Sequence, residues 1–161
     1  MRKNNMDIYT VSLFGHRIID DPFIVEENLQ NILYDLITEK EYVDFLLGRN
    51  GDFDILAASL IRQSKKKYDN GNCSMTLVLP YMTADIRNND QSYLNYYDNI
   101  EICEQTSFSY YKAAIQNRNK CMVDRSDLVL FYVDHNSGGA YNTMVYAKKK
   151  NKNMINIAHI K

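Results

Sequence analysis

The chain lacks any apolar run that could cross a bilayer, any cysteine pair at C-x-x-C spacing, and any appreciable net charge. Each absence removes a class of protein. The longest continuous apolar stretch, Leu128 to Val133, falls far short of the roughly 20 residues that a membrane helix needs. The charged start Met1-Arg-Lys-Asn-Asn5 is not followed by the apolar segment of a signal peptide. Cys73, Cys103 and Cys121 are far apart and odd in number, so they read as reduced thiols of an intracellular protein and not as a disulfide framework. A cytoplasmic protein without membrane contact is therefore expected. A formal net charge of −1 leaves no electrostatic footprint for nucleic acid, which is not expected as a partner. There is no G-x-S-x-G, no P-loop and no G-x-G-x-x-G. His135 and His159 lack ligand spacing, so no metal site and no required cofactor are expected.

What remains is a chain of 161 residues, 45% of them hydrophobic. That suits one domain over 1–161, with a core that needs neither disulfide nor metal. Ile8 to Phe14, stopped by Gly15, predicts a first strand. Tyr42 to Leu47, ended by Gly48, predicts a second, and Met75 to Leu79, ended by Pro80, a third. Leu128 to Val133 is apolar throughout and predicts a fourth strand buried on both faces; Met154 to Ala158 gives a fifth. Between them, Val25 to Thr38 puts Leu29, Ile32, Leu33, Leu36 and Ile37 on one helical face, with Glu26 and Glu27 in its first turn. Asp52 stands where an N-cap belongs, ahead of a helix that ends in Lys65, Lys66 and Lys67. Tyr110 to Val123 predicts a third helix, and Gly138-Gly139 opens a fourth that reaches Lys150. The segment 81–109 has no long periodicity, although Tyr93, Leu94, Tyr96, Tyr97, Ile100 and Ile102 suit covering a sheet edge or roofing a pocket.

This alternation predicts an α/β, Rossmann-like three-layer domain around a mainly parallel five-stranded sheet of order 3-2-1-4-5. Ligands of such sheets sit beyond the carboxyl ends of the strands at the switch point, here between the first and fourth. Three loops fall near those ends. Gly15-His16-Arg17 offers a sharp turn, an imidazole and a planar fork of donors for phosphate or carboxylate. Gly48-Arg49-Asn50-Gly51-Asp52-Phe53-Asp54, with two glycines and the acidic pair Asp52 and Asp54 at a helix start, suits recognition of a ribose hydroxyl, and equally suits a plain turn with a capped helix. Ser137-Gly138-Gly139, with Thr143 one helical turn on, offers backbone N–H groups and hydroxyls to a phosphate; a tight strand-to-helix turn is the alternative. The lysine triplets at helix ends read as solvated charge that complements the dipole.

The sequences Phe14-Gly-His-Arg17, Gly51-Asp-Phe-Asp-Ile-Leu-Ala-Ala58, Arg118-Asn119 with Met122-Val-Asp124, Ser126-Asp127, and Gly138-Gly139 with Asn142-Thr143 and Tyr146-Ala147 occur in order along nearly the whole chain. Together they resemble the YpsA-like branch of the SLOG superfamily, distantly similar to the lysine-decarboxylase-like "Lonely guy" phosphoribohydrolases. The resemblance implies a Rossmann-like fold, nucleotide-derived ligands and dimers or higher homo-oligomers. It brings Arg118 and Asn119 into the expected ligand site, because the enzyme branch uses an arginine at that place. That branch also uses a glutamate after a P-G-G-x-G-T turn. Here Ser137 replaces the proline, the turn is one residue longer, and Tyr146 stands where the glutamate falls. A carboxylate there would act as acid/base or stabilise an oxocarbenium ion, so no catalytic residue is assigned. The expected function is binding or sensing of a nucleotide-type small molecule. The alternative is an N-glycosidic hydrolase or transferase with Asp52, Asp54 or Glu104 as the carboxylate.

Overall fold

A computed structural model of the chain describes residues 6–68, 71–103 and 111–160. The elements in chain order are β1 (Ile8–Gly15), α1 (Pro22–Glu39), β2 (Tyr42–Leu47), α2 (Asp52–Tyr68) and β3 (Cys73–Leu79). Two short helices follow, α3 (Ala84–Asn88) and α4 (Asp90–Tyr96), then β4 (Asn99–Ile102), α5 (Tyr111–Asp124), β5 (Leu128–Tyr132), α6 (Gly139–Lys149) and β6 (Met154–Asn156), which ends in a 3-10 turn at Ile157–His159. The strands form one sheet of order β4-β3-β2-β1-β5-β6, and every neighbouring pair is parallel.

The expected order is present as β3-β2-β1-β5-β6. The correction is a sixth strand: β4 lies on the outer side of β3, with Leu77 opposite Ile100 and Leu79 opposite Ile102. Its four residues, Asn-Ile-Glu-Ile, are too few for an alternating pattern to stand out, and one open flank lets polar residues enter it.

Alternation along β1 sorts its side chains to two faces. Val11 and Leu13 pack with Val25, Leu29, Leu33 and Ile37 of α1 and with Phe53, Ala57, Leu60 and Ile61 of α2. Phe14 points the other way, into a smaller core with Met122 and Val123 of α5, Phe131 of β5 and Ala147 of α6. Ser12 shares that second face, where its hydroxyl lies 3.2 Å from the Met122 carbonyl and 2.6 Å from the Ser126 hydroxyl. In β3 the buried Ser74 and Thr76 hydroxyls both donate to Asp44 Oδ1, at 3.0 and 2.9 Å. Polar groups inside the sheet layer are thus paired, as burial demands.

Two helix starts differ from expectation. α1 begins at Pro22, a residue suited to the first helical position because its missing N–H is unpaired there anyway. Its first turn consequently holds no acidic residue, and Glu26 and Glu27 lie further in. Asp52 is the first residue of α2 and not its cap. Its N–H donates to the Arg17 carbonyl at 2.9 Å, and its carboxylate accepts from the Ile19 N–H at 3.4 Å. Asp54, two residues on, reaches back to accept from the Asn50 N–H at 2.9 Å, just ahead of the helix start. No helix among the described residues is long and apolar enough to cross a membrane.

Candidate functional site

β2 and β5 flank β1; the chain leaves β1 through α1 towards β2 and leaves β5 through α6 towards β6, so the two connections diverge and open a crevice. Beyond the paired ends Gly15 and Tyr132 lies a cleft of about 690 Å³. The loop after β1 supplies Gly15, His16 and Arg17; α2 supplies Asp54; α5 supplies Arg118 and Asn119; the turn into α6 supplies Ser137, Gly138 and Gly139. Three expected site residues stand behind this lining. A Cβ on Gly51 would come within 2.5 Å of the Arg17 Cα, so Gly51 shapes the β1 loop from outside the cleft. Asp52 is held in that same contact and is exposed. Thr143 is buried and acts through Asn119. Glu104 lies outside the described residues.

The interior of the cleft is organised by Arg118. Its Nη1 donates to the Val78 carbonyl at the end of β3 (3.1 Å), and its Nε and Nη2 both donate to Asn119 Oδ1 at 3.1 and 2.9 Å. Asn119 Nδ2 donates to Thr143 Oγ1 (3.1 Å), which donates to the Gly139 carbonyl (2.8 Å). One chain of hydrogen bonds therefore runs from β3 across α5 to the first turn of α6. Burial draws the Arg118 pKa down, against the nearby negative charge of Asp54.

Asp54 is itself buried in the wall of the cleft. Burial pushes its carboxyl up to about 6, against the opposing pull of the Asn50 N–H and the Arg118 charge. Such a carboxyl takes up its proton at a pH much closer to neutral than an exposed aspartate does. Arg17 is the opposite case: exposed at the rim, with no hydrogen bond or ion pair on its guanidinium among the described residues. Gly138 caps α6 at φ +94 and supplies no side-chain hydrogen bond to the helix. Its positive φ explains the glycine, and the exposed first-turn N–H groups next to it are left without a side-chain cap.

Gly48 and Asn50, from the expected loop after β2, also line the cleft, as do Ile115, Gln116 and His135, which were not expected there. For His135 a signal existed. The expected strand order makes the fourth strand the neighbour of the first, so a residue following Leu128–Val133 belongs beside His16. Gln116 and Ile115 had no such signal, because they depend on which face of α5 turns towards the sheet.

The YspA SLOG family model (YpsA) matches residues 14–161. The chain belongs to this family. No curated protein matches this SLOG chain. Among solved structures it is similar to DNA processing protein A (DprA) from Streptococcus pneumoniae, at 14% identity and TM-score 0.63 over 91% of this chain and 49% of that one. It is equally similar to DNA processing protein A from Helicobacter pylori, at 14% identity and TM-score 0.63, covering 91% of this chain and 63% of that one. The SLOG chain thus spans about half to two thirds of these proteins, and at such identity the likeness is one of fold. The Helicobacter pylori structure is described as showing a single-stranded DNA binding mode. That corrects the expectation that nucleic acid is excluded as a partner. Neither this fold nor a near-zero net charge excludes it, because a local patch can contact phosphates whatever the sum over the chain.

Proposed function

We propose that the cleft binds the phosphate-bearing part of a nucleotide-type ligand, with Arg17 and the backbone N–H groups of the Gly138–Gly139 turn as its anion-binding elements. The supporting observation is their convergence: an exposed guanidinium without a partner among the described residues and a helix start without a side-chain cap border the same cleft. Both kinds of donor suit phosphate oxygens. A volume of about 690 Å³ lies within the roughly 300–1,000 Å³ of small-molecule sites. Two sources share this chemistry, a free nucleotide and a nucleotide within a single strand. Calorimetry with adenosine and guanosine nucleotides, inorganic phosphate and a short single-stranded oligonucleotide separates them. Saturable binding of a mononucleotide that Arg17→Ala weakens is the expected result; no binding of any of these probes overturns the reading. The homodimer is likewise proposed, and sedimentation velocity measures it directly.

A second reading, hydrolysis or transfer at the N-glycosidic bond, is favoured by Asp54 alone. Of the carboxylates considered, it is the one that is described, buried and in the cleft wall. Its raised pKa suits a general acid or base near neutral pH. Chromatography of nucleoside monophosphates after long incubation tests it. Free base released by the protein and not by Asp54→Asn would put this reading first; the binding reading expects no release by either.

A further inference from the structure

His16, Asp134 and His135 come together at one corner of the cleft, and their ligand atoms all lie within 4.8 Å of one another. His16 is only 7% exposed, and its Nε2 has no hydrogen-bond partner. Asp134 Oδ1 is 3.4 Å from that nitrogen, outside hydrogen-bonding geometry, and 2.6 Å from His135 Nδ1. The two imidazoles stack, with centroids 3.7 Å apart at 11°. A buried imidazole nitrogen without a partner is costly unless something binds it. Two imidazoles are thus drawn together around one carboxylate oxygen, and the unpartnered nitrogen is one of the three clustered ligand atoms.

The geometry points to a transition-metal site made by His16 Nε2, a His135 ring nitrogen and the Asp134 carboxylate. Two imidazoles and one carboxylate are a borderline donor set, suited to Zn(II), Co(II) or Fe(II) and not to the all-oxygen preference of Mg(II) or Ca(II). Ligand atoms about 2.0–2.2 Å from one tetrahedral ion are roughly 3.4 Å apart. The His16–Asp134 separation already meets this, while the Asp134–His135 hydrogen bond must open and the rings must splay. His135 has room to turn, since its side chain is 57% exposed. Asp134 is steadied from behind by the Tyr132 hydroxyl, which donates to its Oδ2 at 3.3 Å, an outer-shell contact typical of metal ligands. His16 and His135 also line the cleft, and a three-ligand site keeps a coordination position for water or the cleft's occupant. The proposal stands whatever that occupant is.

The test uses untagged, chelator-treated protein and Zn(II) or Co(II) alone, without nucleotide. Cys103 and Cys121, whose sulfurs lie 3.1 Å apart, are the competing metal-binding pair. The titration is therefore repeated on a Cys103→Ser/Cys121→Ser variant. The expected result is one equivalent of Zn(II) in both proteins and a Co(II) visible spectrum of low coordination number. Because His135 is exposed, His135→Ala should keep the metal-free melting temperature while weakening binding by at least about tenfold; Asp134→Asn should weaken it too. Absence of stoichiometric binding, binding unchanged in His135→Ala and Asp134→Asn, or binding lost in the cysteine variant each overturns the proposal. Failure here leaves nucleotide affinity unaffected, so the two readings fail separately.

Discussion

Arg17 and Arg118 border the same cleft, but Arg17 stands exposed without a partner among the described residues, whereas Arg118 is 3% exposed and bonded to Val78 and Asn119. The sequence places Arg17 in the ligand site by its loop and Arg118 by the family resemblance, and the structure divides the labour between them. A group that captures an anion from water must keep donors in hand. One whose donors already satisfy buried carbonyl and amide oxygens positions the wall that the ligand meets. Two of the five guanidinium N–H groups of Arg118 stay outside its three protein hydrogen bonds, so a ligand can still touch it, but its first task is structural.

The sharpest way to break this contrast is Arg118→Ala. It strands the Val78 carbonyl and Asn119 Oδ1 in a buried region, each at about 1–3 kcal/mol, so unfolding in urea should show a loss of about 2–6 kcal/mol. A loss below about 1 kcal/mol would place Arg118 beside Arg17 as a mere binding residue. Next in size is the pH dependence set by Asp54. Its folded pKa of about 6 lies above the unfolded value near 4. The stability it contributes is therefore fully present below about pH 4 and is lost as pH rises through 6, by about 3 kcal/mol in total. Stability measured between pH 4 and 8 should fall accordingly, and Asp54→Asn should flatten that fall; an unchanged profile would mean that the carboxylate is solvated.

Arg17→Ala sharpens the contrast from the other side. Ligand affinity should drop by about 1.5–3 kcal/mol, as for a lost charged hydrogen bond, while stability moves by no more than about 0.5 kcal/mol. Calorimetry and denaturation on the same preparation test both halves. A small stability effect is also expected from Gly139→Val. A Cβ there meets nothing nearer than Gln116 Nε2 at 3.5 Å, and the residue has no positive φ, so valine in the first turn costs less than about 1 kcal/mol. Binding should nevertheless fail, because the branched side chain bars phosphate from the N–H groups. Gly138→Ala is the complementary control, since φ +94 makes any side chain there strained by about 1–3 kcal/mol.

Legibility in the sequence followed local physics. β2 was readable to the residue, because Tyr42–Leu47 is a short apolar run closed by Gly48. β5 was readable because an unbroken apolar run demands burial on both faces, which it has. Cap positions were not: Asp52 and Asp54 both look like helix starters, and only the contact of Asp52 with the β1 loop decides between them. The site was legible as three loops, since strand order alone brings them together. The relay through Asn119 and Thr143 was not, because it depends on how α5 and α6 rotate about their axes. His135 went unpaired because ligand spacing along the chain carries no information about residues joined only by neighbouring strands.

The small strand β4 has an effect on how copies of the molecule behave towards one another. Without it, β3 would present seven residues, all buried, as an open ladder of backbone donors and acceptors, a template for strands of other chains. β4 closes that ladder with four residues and offers in its place a brief edge carrying Asn99 and Glu101. Arg125, just after α5, holds Glu101 in a two-pronged pair at 2.7 and 3.2 Å. A chain in which this strand peels away would keep its cleft and lose its solubility, so aggregation on gentle heating would report on β4 while ligand affinity would not.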